Sequence, residues 1–190
     1  MGHERLVAMA SAAHAQLTVY PVNFGEVFPA TGGLPLPKRA PERQAYRMME
    51  LERWREEHNI ELNLTPAHFP AVEKLAANTV VALRSIDRAT GKTDSQQSSI
   101  RLVGLILASV WRDEKDIADE VVLADLLKQV GADAGKVLET AKQPETEARY
   151  VEDTANAIKR GVFGAPTYVI DDEIFWGQDR LSFVEKRLAG

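Results

Sequence analysis

Apolar residues near the start of the chain, Leu6, Val7, Met9 and Ala10, recur at a spacing that predicts a helix over 3–14, with no capping residue ahead of it. Leu17 to Val22 (LTVYPV) breaks that period, and its β-branched and aromatic content predicts a short strand. Residues 30–41 (ATGGLPLPKRAP) read as a loop rich in glycine and proline. Pro41 suits the first position of the next helix, where its missing N–H leaves no bond unmade. That helix, about 42–58, carries Tyr46, Met49, Leu51 and Trp54 among many charges, the pattern of a half-exposed helix. NLTPAHFP at 63–70 is another break.

From 71 to 143 the period is helical throughout. One helix covers about 71–88 and ends at a break, Thr90-Gly91-Lys92. A second, about 94–112, carries Ile100, Val103, Leu107 and Trp111. A third segment, 123–131, closes on Gly131, a residue suited to the left-handed turn that ends helices. Further helices are predicted over 134–142 and 145–160. The tail changes character: 166–170 and 173–176 read as two short strands joined by Asp171-Asp172, a hairpin. Asp179 stands where an N-cap would open a last helix holding Leu181, Val184 and Leu188. One strand near the start and a distant hairpin make a thin sheet, so the elements add up to an α/β or α+β core with a helical insertion.

Composition narrows the chemistry. At 190 residues the chain suits a single domain with an insertion. Its net charge of −5 argues against a nucleic-acid partner, which needs a basic face. There is no cysteine, which removes disulfides, thiolate metal sites and any redox dithiol of the protein's own. His3, His14, His58 and His68 are scattered without metal-ligand spacing, so no metal is expected. No window is apolar enough to span a membrane, and the first residues lack the pattern of a secretion signal, so a cytoplasmic protein is expected.

Two residues in the tail can carry more than structure. Pro166 is either a trans residue that merely opens a strand or the second member of a cis Ala165-Pro166 step. The cis step would turn Ala165's main-chain groups outward, where an extended peptide can pair with them. Asp179 is either a cap or a carboxylate that grips a ligand ammonium while Gln178 takes a carboxylate; both roles can coexist. Trp111-Arg112-Asp113 and Trp176 are open to the same pair of readings, as helix-end packing or as walls of an aromatic pocket.

Gly161-Val162-Phe163-Gly164-Ala165-Pro166-Thr167, followed by Phe175-Trp176-Gly177-Gln178-Asp179-Arg180, resembles the C-terminal signature of the 2-hydroxychromene-2-carboxylate isomerase family. That family is close to the kappa-class glutathione transferases, on the DsbA-like branch of the thioredoxin fold. Upstream, Phe28 to Gly33 and Pro41 to Trp54 resemble the loop and helix that follow the family's second core strand.

The resemblance implies an α/β thioredoxin-like (DsbA-like) core with a large all-helical insertion. Residues 1–40 would form the N-terminal part of the core, 41–143 the insertion and 144–190 the C-terminal part. It implies glutathione as the thiol-bearing cofactor. Ala165, before a cis Pro166, would pair with its cysteinyl unit, and Gln178 and Asp179 would hold its γ-glutamyl end. Where the family carries a lysine three positions before a tyrosine, this chain has Arg43 and Tyr46, an exchange of a point charge for a planar fork. The family's first strand and the serine that contacts the sulfur have no match, and are expected upstream of Met1; Ser11 and Ser98-Ser99 are poor substitutes. No catalytic residue is therefore nominated. The implied reaction is isomerisation of a small aromatic or enone carboxylate. A kappa-like glutathione transfer and a non-catalytic binding module are the alternatives, and a homodimer is suggested by the relatives.

Overall fold

The computed structural model describes residues 1–91 and 97–189. Lys92 and the opening of the helix predicted over 94–112 lie outside the described residues. The elements in chain order are α1 (His3–Ala12), α2 (Phe24–Thr31), α3 (Pro41–Glu57), α4 (Lys74–Ala89), α5 (Ser98–Trp111), α6 (Glu120–Gln129), α7 (Ala134–Ala141), α8 (Pro144–Lys159), β1 (Thr167–Ile170), β2 (Glu173–Trp176) and α9 (Leu181–Leu188).

α4 is the hub, packed on α5, α7 and α8, while α6 packs on α5 and α7. Its length is buried almost throughout, and Val80 and Leu83 join Leu102, Ile106, Leu123, Leu127 and Val137 in one apolar cluster. Each large aliphatic side chain so buried stabilises the fold by about 1.5–3 kcal/mol. Pro41 opens α3 as expected, yet α3 buries none of its residues. Gly131 takes φ +75° just past α6 and donates its N–H to the Lys128 carbonyl, the predicted C-terminal turn.

Three predicted features are corrected. Leu17 to Val22 forms no strand; the sheet among the described residues is β1 and β2 alone. A strand needs a neighbour to complete its ladder, and here a guanidinium takes that place. Arg84 Nη1 donates to the Val19 carbonyl at 3.0 Å, and the same side chain lies over the Tyr20 ring at 4.6 Å. Phe24–Thr31, partly assigned to a loop, is helical despite Gly25 and Pro29. Asn23 Oδ1 caps it by accepting from the Gly25 N–H at 2.8 Å, Val27 is fully buried, and the helix packs on α8. Burial on a neighbour outweighs poor propensity. Asp179 does not cap α9: residues 178–180 form a 3₁₀ turn, and Arg180 occupies the N-cap position without a side-chain bond.

β1 and β2 pair antiparallel, with Thr167 opposite Trp176 and Ile170 opposite Glu173. Asp171 makes the turn at φ +54°, a left-handed value that a short polar side chain tolerates. Arg160 donates to its carbonyl and Arg187 pairs with its carboxylate, fixing the turn from two helices. The hairpin rests on α9, and α9 packs on α1. Among the described residues, no helix is long and apolar enough to cross a membrane.

Candidate functional site

The segment that leaves α8 is shaped by close approaches. A Cβ on Gly164 would sit 2.3 Å from Trp176 Nε1, so only glycine lets the indole lie against the chain there. Trp176 also meets Phe163, ring centroids 4.9 Å apart. Thr167 Oγ1 donates to the Gly164 carbonyl at 2.6 Å, and the Gly177 N–H donates to the Pro166 carbonyl at 2.9 Å. Between those two anchors the Ala165-Pro166 peptide is cis. The ladder begins at Thr167, Ala165 and Pro166 are exposed, and no hydrogen bond among the described residues engages the Ala165 main chain. An amide and a carbonyl beside a sheet, exposed and unpaired, are what an added extended peptide pairs with.

Gly177 takes φ +101°, and a Cβ there would lie 2.3 Å from Asp179 Oδ1. This glycine folds the Asp179 carboxylate back toward the strand end. Asp179 stays exposed, with Arg180 Nη1 3.4 Å from its carboxylate. Gln178 is held from a distance in sequence: Arg5 Nη1 donates to its Oε1 at 3.1 Å. The same Arg5 nitrogen meets His58 Nε2 at 2.8 Å. An arginine only donates, so His58 Nε2 accepts and its ring proton resides on Nδ1. His58 in turn stacks on Trp54, centroids 5.2 Å apart. Thus α1, the end of α3 and the strand end are tied at one point.

The start of α1 lies against the same point. A Cβ at Gly2 would be 2.8 Å from the Tyr168 hydroxyl and 3.0 Å from Gln178 Cβ. Burial pushes the Tyr168 hydroxyl up to about 12, opposed by Arg5 and helped by Asp179, so the phenol stays protonated at any ordinary pH.

Of the six residues expected to hold a ligand, Ala165, Pro166, Gln178 and Asp179 lie together around the hairpin. Arg43 and Tyr46 are exposed on α3, and among the described residues no hydrogen bond or ion pair links either one to the other four. The Glu50 carboxyl, one turn past Tyr46, is held below the usual range by the Arg53 hydrogen bond above all. Sequence reasoning missed Arg5 and His58, which carry no motif and meet Gln178 only through the fold. A hollow of about 260 Å³ lined by Glu26, Glu73, Lys74, Glu147 and Tyr150 lies on the helical block, and none of the hairpin residues lines it.

A model of the DSBA-like thioredoxin domain matches residues 1–189. A 2-hydroxychromene-2-carboxylate isomerase of Sphingobium xenophagum is 31% identical over 141 residues, 74% of this chain and 66% of the relative. One of the same name from Pseudomonas sp. (strain C18) is 27% identical over 192 residues, 100% of this chain and 84% of the relative. The chain therefore spans just under two thirds of the first relative's length. A solved 2-hydroxychromene-2-carboxylate isomerase superposes with a TM-score of 0.81 at 23% identity, covering 99% of this chain and 87% of that one. With the fold, the cis-proline hairpin and the match over residues 1–189 in agreement, the chain belongs to the DSBA-like thioredoxin domain family, alongside proteins named 2-hydroxychromene-2-carboxylate isomerase.

Proposed function

We propose that this protein is a glutathione-dependent isomerase of the 2-hydroxychromene-2-carboxylate type. The observation that carries this reading is the exposed, unpaired main chain of Ala165 at the cis Pro166 step, with Gln178 and Asp179 beside it. A cysteinyl unit pairs with Ala165 in strand fashion, while the Gln178 amide and the Asp179 carboxylate receive the γ-glutamyl end. Arg43 offers a planar fork to a further glutathione carboxylate, with Tyr46 one turn on. Relatives of the same name support the reaction class.

The chain has no cysteine, which fits a reaction whose thiol comes from glutathione. A free thiol with a pKa of about 8.5 is only a few per cent ionised at neutral pH, and a helix N-terminus favours the thiolate. Gly2, just ahead of α1, lies against Gln178 and Tyr168. Bound glutathione would supply a thiolate for reversible addition to the enone of the open-chain substrate, which would free the former double bond to rotate before elimination returned the thiol. No thiol is consumed.

The test is absorbance of a hydroxybenzylidene-pyruvate with and without glutathione, with the thiol titre followed in parallel. Equilibration that needs glutathione and leaves its titre unchanged is expected. Equilibration without the thiol sinks the borrowed-sulfur reading, and steady thiol loss replaces isomerisation by transfer. Gln178→Ala is expected to weaken glutathione binding about tenfold by calorimetry, the loss of one hydrogen bond to a charged group.

A further inference from the structure

Arg47 is a half-buried cation set against two aromatic rings. Its guanidinium carbon lies 5.3 Å from the centroid of the Phe69 ring and 5.7 Å from that of Trp111, and the two rings are 4.8 Å apart. No carboxylate among the described residues pairs with it. Among the described residues its one hydrogen bond is to the Met48 sulfur at 3.8 Å. The buried Arg84, by contrast, has Asp153 at 2.6 Å. Burial holds the Arg47 group below its usual value, and the positive charge of Arg39 adds to the effect.

Neighbouring acids are engaged elsewhere. Asp113 is taken by Arg112 at 2.6 Å, Glu114 accepts from the Ala67 N–H at 3.1 Å, and Glu50 is paired with Arg53 at 2.7 Å. Arg43 stands one helical turn before Arg47 on the same face of α3. A partly desolvated guanidinium with a second arginine one turn before it, and with the neighbouring acids already paired, is suited to take an anion.

The rings say which anion. A guanidinium stacks on aromatic rings through its face, which leaves its edge N–H groups free in the plane to fork onto a carboxylate. Phe69 is 38% exposed, so part of its surface remains open to a flat apolar group lying beside that carboxylate. We propose that Arg47, Phe69 and Trp111 form a binding site for a small aromatic monocarboxylate, the guanidinium edge taking the carboxylate and the exposed ring surface the arene. In the reaction proposed above this is where the substrate's ring and carboxylate are recognised; that role rests on the isomerase reading, whereas the binding itself is measured without it.

The probe is trans-cinnamate, titrated by calorimetry with and without saturating glutathione, against its uncharged amide. Cinnamate should bind saturably and at least about tenfold more tightly than cinnamamide, the difference expected of a charge-assisted fork. Arg47→Met should remove that preference and leave the amide's affinity within about twofold, and Arg47→Lys should restore part of it. Equal affinity for acid and amide in the wild-type protein, or no saturable cinnamate binding under either condition, overturns the proposal and requires no variant. So does an unchanged preference in Arg47→Met. Gln178→Ala separates the two readings: it should weaken glutathione and leave cinnamate untouched. A protein that binds cinnamate through Arg47 but never binds glutathione would defeat the thiol reading alone.

Discussion

The helical block and the hairpin end of this molecule are built by different physics. In the block, Leu102, Leu123 and Leu127 are wholly withdrawn from solvent, and the buried polar groups Asp87 and Arg84 have close partners: Asp87 accepts from the Ser99 N–H at 2.7 Å and Arg84 meets Asp153 at 2.6 Å. The hairpin end has four-residue strands, and its rings Trp176 and Phe163 stay 52% and 39% exposed. Leu181 and Val184 of α9 supply its buried aliphatics. What shapes it is glycine: Gly164 admits an indole and Gly177 admits a carboxylate. The block carries most of the buried apolar surface, and the hairpin end exposes main chain and polar groups to a ligand. A rigid scaffold presenting a lightly packed recognition segment is a common division of labour.

That division is broken most severely at Arg84. It donates to Val19, lies over Tyr20 and pairs with Asp153, whose carboxyl burial pushes up against the opposing pull of Arg84. Removing one member of a buried pair strands the other, so Arg84→Ala should cost about 3–5 kcal/mol in urea unfolding. The double change Arg84→Met with Asp153→Leu should recover much of that loss. A single variant as stable as the wild type would show that the block does not depend on this pair.

Gly164→Ala strikes the other region and should cost less, about 1–3 kcal/mol, because the new methyl displaces an indole that is already half in solvent. Its larger effect falls on recognition. Moving Trp176 moves the strand end that bears Gly177, Gln178 and Asp179, and glutathione affinity should drop about tenfold or more. A folded variant with wild-type affinity would mean that the close glycine contact does not position the ligand residues.

The same contrast governs what the sequence disclosed. The hairpin was legible because its signals are local: proline before a β-branched run, paired acids at the turn and glycines on either side sit within twenty residues. Gly131 and Pro41 were legible for the same reason. Leu17 to Val22 misled because β-branched content reports only a taste for extended backbone, while a strand also needs a partner, and Arg84 reaches the segment from 65 residues away. α2 was hidden by its own Gly25 and Pro29, whose local cost is met by the buried Val27 and the contact with α8. Asp179 looked like a cap because an acid before an apolar helix usually is one; the 3₁₀ turn shifted the helix start by a residue. The link from Arg5 to Gln178 spans 173 positions, and no pattern along the chain announces it. Nor does any announce that Arg47, Phe69 and Trp111 converge.

The smallest predicted effect tests where the two regions join. α1 reaches the block through His3, whose ring lies so close to α5 that a Cβ on Gly104 would meet its Cδ2 at 2.7 Å. Burial there holds the His3 imidazole below its ordinary value of 6.5; Glu4 opposes the shift and the chain terminus adds to it. A base whose folded value is lowered binds fewer protons in the folded state than in the unfolded one. The stability linked to it is therefore fully present above the unfolded value and is lost as pH falls from about 6.5 toward the lower folded value. Between about pH 7.5 and 5.5 the urea midpoint should fall, by less than about 1 kcal/mol in stability because the ring is only partly enclosed. His3→Gln should flatten that slope. If the slope persists unchanged, protonation elsewhere governs it, and the contact of α1 with α5 is too loose to couple the recognition end to the block through this side chain.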